Sequence, residues 1–92
     1  MNETHMCLNL HSPAPSNMCG IVAGQRTDKY LEVTCRACAN AIVVLHLKLY
    51  TDKKSTLQDL CQVVALSDLL KDVAQAMLQS SLRSDMSKYL VW

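Results

Sequence analysis

Cys35-Arg36-Ala37-Cys38 is the sharpest chemical signal in the sequence. Two thiolates separated by two residues can hold one Zn²⁺ through S–Zn bonds of about 2.3 Å, and a structural zinc site needs four donors in all. The remaining donors must come from Cys7, Cys19, Cys61, His5, His11 or His46, none of which forms a second CxxC or an HxxxH pair. Cys19, Cys7 and His11 are the leading partners for Cys35 and Cys38. The competing reading is that these are reduced structural thiols, one of them buried on a strand face. A redox-active CxxC is expected to follow a strand and open a helix, whose N-terminus lowers the thiol pKa. Here a strand is predicted to follow the motif instead, so a thiol enzyme ranks third among the functions considered. Five cysteines are an odd number, and no basic segment followed by an apolar run opens the chain. Both features argue against a secreted disulfide framework and for reduced thiols or metal ligands in the cytoplasm or nucleus.

Met18-Cys19-Gly20-Ile21-Val22-Ala23-Gly24 is similar to the start of class II glutamine amidotransferases, where the cysteine becomes the N-terminal residue and its thiol attacks glutamine. That resemblance implies a nucleophile at Cys19, and it requires removal of everything before that residue. Nothing downstream resembles the glutamine-holding loops of the family. The residues themselves read as a Gly-containing turn and a short Ile21-Val22-Ala23 strand. His46 reads as a half-exposed strand histidine. No Ser-His-Asp order, paired-carboxylate motif or phosphate-binding Gly-rich loop is visible, and the chain is read as non-enzymatic.

The elements that must position these residues are read from periodicity. Residues 1–28 carry both prolines and both glycines and are expected to form an irregular arm. From Tyr30 to Cys35 apolar and polar residues alternate, and from 41 to 51 they alternate more strongly, with Val43, Leu45, Leu47 and Leu49 on one face. Joined through Arg36–Asn40, the two runs predict an antiparallel β-hairpin with the CxxC at its tip. The period then becomes helical. Ser55 and Gln58 read as a capping box, and Leu57, Leu60, Cys61 and Val64 form one stripe of a helix over about 56–66. Ser67 is placed to cap a second helix carrying Leu70, Val73, Ala74, Met77 and Leu78. The predicted fold is α+β: the arm 1–28, then one small domain over 29–92 in which the hairpin packs against two C-terminal helices.

Composition limits the partners. Nine Lys and Arg are dispersed against eight Asp and Glu, for a net charge of +1, so no field gathers phosphate backbone or anionic lipid and nucleic acid is disfavoured. The uncharged run Ala37–Leu47 is well short of the roughly 20 residues that cross a bilayer. Phenylalanine is absent, so the core must be Leu, Val and Ala, and self-association is the natural remedy for so thin a core. Val44, Tyr50, Met77, Leu82, Met86 and Trp92 are the expected interface of a homodimer.

Tyr30 to Cys38, the apolar run Ile42 to Leu49 and Ser55 to Leu60 together resemble the first half of the zinc-binding C-terminal domain of papillomavirus E7. The resemblance implies Cys35 and Cys38 as zinc ligands in a small viral accessory or regulatory protein that binds host proteins. The second CxxC of that family and its LxCxE motif have no counterpart here. The expected function is a non-enzymatic protein-interaction module; the alternative is a small zinc-binding regulator of nucleic-acid or transcription complexes.

Overall fold

A computed structural model describes residues 3–21 and 24–91. Two short strands, β1 (Thr4–Met6) and β2 (Gln25–Thr27), precede a single 3-10 turn at Tyr30–Glu32. Four helices follow: α1 (Arg36–Thr51), α2 (Leu57–Val64), α3 (Asp68–Met77) and α4 (Ser80–Met86). The strands pair in parallel, with Thr4, His5 and Met6 opposite Gln25, Arg26 and Thr27.

The antiparallel hairpin is therefore a misreading, and its physical cause is specific. The run 36–51 contains no glycine or proline and is apolar enough that period two and period 3.6 both fit it. Length decides the case, since 16 continuous residues exceed an ordinary strand and suit a helix rich in Ala and Leu. Its true stripe is Cys38, Ala39, Ile42 and Val43, all buried, followed by half-buried His46, Leu47 and Tyr50. Val44 and Lys48 face solvent. In the segment before the helix the alternation survives only locally: Val33 and Cys35 are buried and Thr34 is exposed. Both strands lie instead within the stretch 1–28 that composition marks as irregular.

The two predicted helices are present. Thr56, not Ser55, caps α2: its hydroxyl accepts from the Asp59 amide while the Asp59 carboxylate accepts from the Thr56 amide, which closes the capping box one residue later than expected. Hydrogen bonding from the Thr56 backbone amide, and then from its side chain, holds the Asp59 carboxyl below its ordinary range. Ser67 caps α3 as predicted, its hydroxyl accepting from the Leu70 amide. The polar stretch after α3 forms the short helix α4, which buries Met86 alone.

Ile42 and Val43 of α1, Leu60, Cys61 and Val64 of α2, Leu70, Val73 and Ala74 of α3, and Met86 share one buried cluster. The stripe on α2 thus finds its cover across a helix–helix interface rather than a helix–sheet one. Met86 belongs to this core and not to a surface. Tyr50 and Leu82 are half-buried against it, Val44 and Met77 remain exposed, and Trp92 lies outside the described residues. No helix among the described residues is long and apolar enough to cross a membrane.

The 3-10 turn is latched to α1 by the Tyr30 hydroxyl, 2.8 Å from His46 Nε2, with the two rings edge to face. Burial lowers the His46 pKa and raises that of Tyr30, so the bond joins a neutral imidazole to a neutral phenol. A histidine depressed by folding contributes stability that is complete above its unfolded pKa of about 6.5 and is lost as pH falls through the folded value. Thermal unfolding of the native chain and of His46→Phe is expected to show the native advantage at about pH 7.5 shrinking by about pH 5.5. A gap independent of pH would contradict the latch.

Candidate metal centre

His5, Cys19, Cys35 and Cys38 converge, their donor atoms all within 4.8 Å of one another. The strand β1 is what brings them together. Its central residue is His5, and the carbonyls on either side hold the other segments. The Thr4 carbonyl accepts from the amides of Thr34 (3.0 Å) and Cys35 (3.2 Å), and the Thr34 hydroxyl accepts from the Thr4 amide at 2.8 Å. The Met6 carbonyl accepts from the Met18 amide at 2.8 Å, which brings the Cys19 turn alongside. Two stretches of chain far apart in sequence are thereby stitched to one three-residue strand.

Each cysteine is positioned by its own local structure. Cys35 is the N-cap of α1 with extended backbone, and Cys38 lies in the first turn, so CxxC here means helix entry and not hairpin tip. The N-terminal end of α1 therefore lies beside both sulfurs. The Cys19 turn is tied by Asn17, whose amide nitrogen donates to the Ile21 carbonyl while its side-chain oxygen accepts from Arg26 Nε at 3.0 Å. Gly20 adopts φ +81° at the corner of that turn.

The spacing fits a tetrahedral ion. With Zn–S of about 2.3 Å and Zn–N of about 2.0–2.1 Å, tetrahedral donors lie about 3.8 Å apart for S to S and about 3.6 Å for S to N. The Cys35 and Cys19 sulfurs are 4.0 Å apart, and His5 Nδ1 lies 3.3 Å from the Cys19 sulfur and 3.7 Å from that of Cys38. His5, Cys35 and Cys38 are each no more than 2% exposed. The thiols are electrostatically unequal. For Cys38, burial dominates and, with the neighbouring Cys19 and Cys35 sulfurs, pushes the pKa up to about 11. For Cys19, burial also acts upward, but hydrogen bonding from the Ile21 backbone and from the Cys38 and Cys35 thiols outweighs it, and the pKa falls below its ordinary value.

No family model matches the chain, and no curated protein or solved structure is significantly similar to it. Of the donors expected from sequence, Cys35, Cys38 and Cys19 are present, and His5 takes the place considered for Cys7 or His11. Cys7 is buried but turns away, its thiol donating to Asn9 Oδ1 at 3.2 Å, and His11 is exposed. Cys61 lies in the helical core with its sulfur 3.7 Å from the Met86 carbonyl. His5 carries no local spacing signal: its partners are 14, 30 and 33 residues away in sequence, and the hydrogen bonds of the unforeseen strand β1 to Met18, Thr34 and Cys35 bring it to them.

Gly24 completes the centre by its lack of a side chain. Its φ is +95°, and a Cβ there would stand 2.5 Å from the Glu3 carbonyl oxygen and 3.0 Å from His5 Nε2. Gly24→Ala must therefore spread the start of the strand pair and displace the imidazole. Gly20→Ala shares the positive φ but meets no atom within 4 Å, so it carries backbone strain of about 1–3 kcal/mol and no clash. Gly24→Ala is expected to weaken metal binding, measured by competition with a chromogenic chelator, by at least tenfold more than Gly20→Ala. Equal affinities in the two variants would show that the His5 ring does not depend on this contact.

Proposed function

We propose that this chain is a zinc-stapled, non-enzymatic protein-interaction module. The carrying observation is the closed donor set: three thiols and one imidazole, brought from three segments to within 4.8 Å of one another. Thiolate and imidazole suit zinc, whereas calcium and magnesium take oxygen donors. Four protein donors fill a tetrahedron and leave no position for water or substrate, which is the pattern of a structural zinc and not of a catalytic one. Cobalt(II) tests this directly because it reports its own geometry. Titration into the metal-free chain is expected to give the intense visible bands of a tetrahedral thiolate site, displaced by one equivalent of zinc. Weak octahedral bands would contradict the donor set.

The interaction role is supported by what the small core leaves outside. Leu31, Val44 and Leu66 are about half exposed or more, and Met77 shares a cleft between α1 and α4 with Leu47 and Leu82. A second copy is the simplest partner, as the missing phenylalanines suggest. The papillomavirus resemblance, carried by Cys35 and Cys38, extends the proposal to a viral accessory protein acting on host proteins in the cytoplasm or nucleus. The net charge of +1 sets the nucleic-acid alternative behind it. Light scattering at rising concentration is expected to give a mass above the 10.2 kDa of one chain. A mass fixed at that value throughout would refute self-association.

A further inference from the structure

One of the four donors differs from the rest. His5, Cys35 and Cys38 are almost fully buried, whereas Cys19 is half-buried on a surface turn where a side chain at Gly20 would meet nothing within 4 Å. Its sulfur lies 4.0 Å from that of Cys35. Cys35 precedes the helix on extended backbone, while Cys38 is held inside the first turn with no exposed surface and against His5 Nδ1 at 3.7 Å. An oxidant arriving from solvent reaches Cys19 first, and the Cys35 sulfur stands beside it at the mouth of the helix.

We propose that Cys19 is an oxidation site for hydroperoxides, resolved by Cys35, and that the resulting disulfide opens the metal centre. This inference rests on the zinc reading above. The Cys19 thiolate attacks the terminal peroxide oxygen, the O–O bond breaks, and the alkoxide or hydroxide released takes a proton from water. The sulfenic acid formed on Cys19 is then attacked by the Cys35 thiolate, which forms the S–S bond and expels hydroxide. The two sulfurs together lose two electrons, which reduce the peroxide. Two of the four donors are thereby withdrawn from the metal, leaving His5 and Cys38, too few for a structural site. Dithiothreitol restores both thiolates, so the site closes again when zinc is supplied.

The sequence provides a direct readout, because Arg26, Lys29 and Arg36 separate the three cysteines. Cleavage after basic residues puts Cys19, Cys35 and Cys38 on three different peptides. Cys7 shares the Cys19 peptide, so the zinc-loaded Cys7→Ala chain is the material to use. After treatment with one equivalent of hydrogen peroxide, alkylation of free thiols and trypsin digestion, mass spectrometry is expected to find the Cys19 peptide joined to the Cys35 peptide. Zinc release to a chromogenic chelator should rise in step with that product and reverse with dithiothreitol plus zinc, while Cys61 stays a free thiol. A Cys35-to-Cys38 link, sulfonic acid on Cys19 without a link, or oxidation with zinc retained would each overturn the proposal while leaving the metal site standing. A chain that binds no zinc before peroxide is added would overturn both.

Discussion

Cys38→Ser is expected to leave the chain without bound metal and largely unfolded at room temperature. Serine is nearly the same size as cysteine, so the packing lost is small; what is lost is a thiolate donor. Structural zinc in small domains contributes apparent binding energies of about 10–16 kcal/mol, comparable with the whole folding stability of roughly 5–14 kcal/mol expected for a chain of this length. Circular dichroism and elemental analysis should report both losses together. Cys61→Ala is the matched control: it removes a buried thiol from the helical core at a cost of about 1 kcal/mol and should retain full metal content. Acid should mimic the ligand loss, because each cysteine must give up its proton to bind the metal. Zinc affinity is therefore expected to fall steeply as pH drops below neutral. Native-like folding of Cys38→Ser without metal would leave these cysteines as ordinary core thiols.

Leu60→Ala carries the second large effect. Leu60 is 1% exposed in the middle of α2 and sits in the cluster shared with α1, α3 and Met86. Truncating it removes buried methyl groups and leaves a cavity, at a cost of about 2–5 kcal/mol. Leu66, close by in sequence and 47% exposed, should cost no more than about 0.5 kcal/mol when truncated in the same way. Guanidinium unfolding of the zinc-loaded chain should show a lower midpoint for Leu60→Ala with an unchanged slope. A cost near that of Leu66→Ala would place the α2 stripe outside the cooperative core.

The helical half was legible because its signals are local. Ser67 and the stripe Leu57, Leu60, Cys61, Val64 each determine their structure within a few residues, and the capping box read at Ser55 and Gln58 lies only one residue further on, at Thr56 and Asp59. The segment 41–51 misled because nearly every position is apolar, and a helix with one side buried and another half-buried leaves no clean period to detect. The parallel pair was invisible for a different reason. Three-residue strands separated by a long connection carry almost no propensity, and β1 is held largely by backbone hydrogen bonds to Gln25, Cys35 and Met18, which any side chains could accompany. The metal centre inherits both outcomes: the CxxC announced itself by spacing and Cys19 was within reach of inference, but His5 depends on the strand that sequence did not show.

Metal content of the chain purified without added zinc or chelator tests the central claim most directly. Elemental analysis is expected to give one zinc per chain, and removing it should abolish the cooperative unfolding transition until zinc is restored. A metal-free chain whose transition is unchanged by chelator or by added zinc would contradict the account.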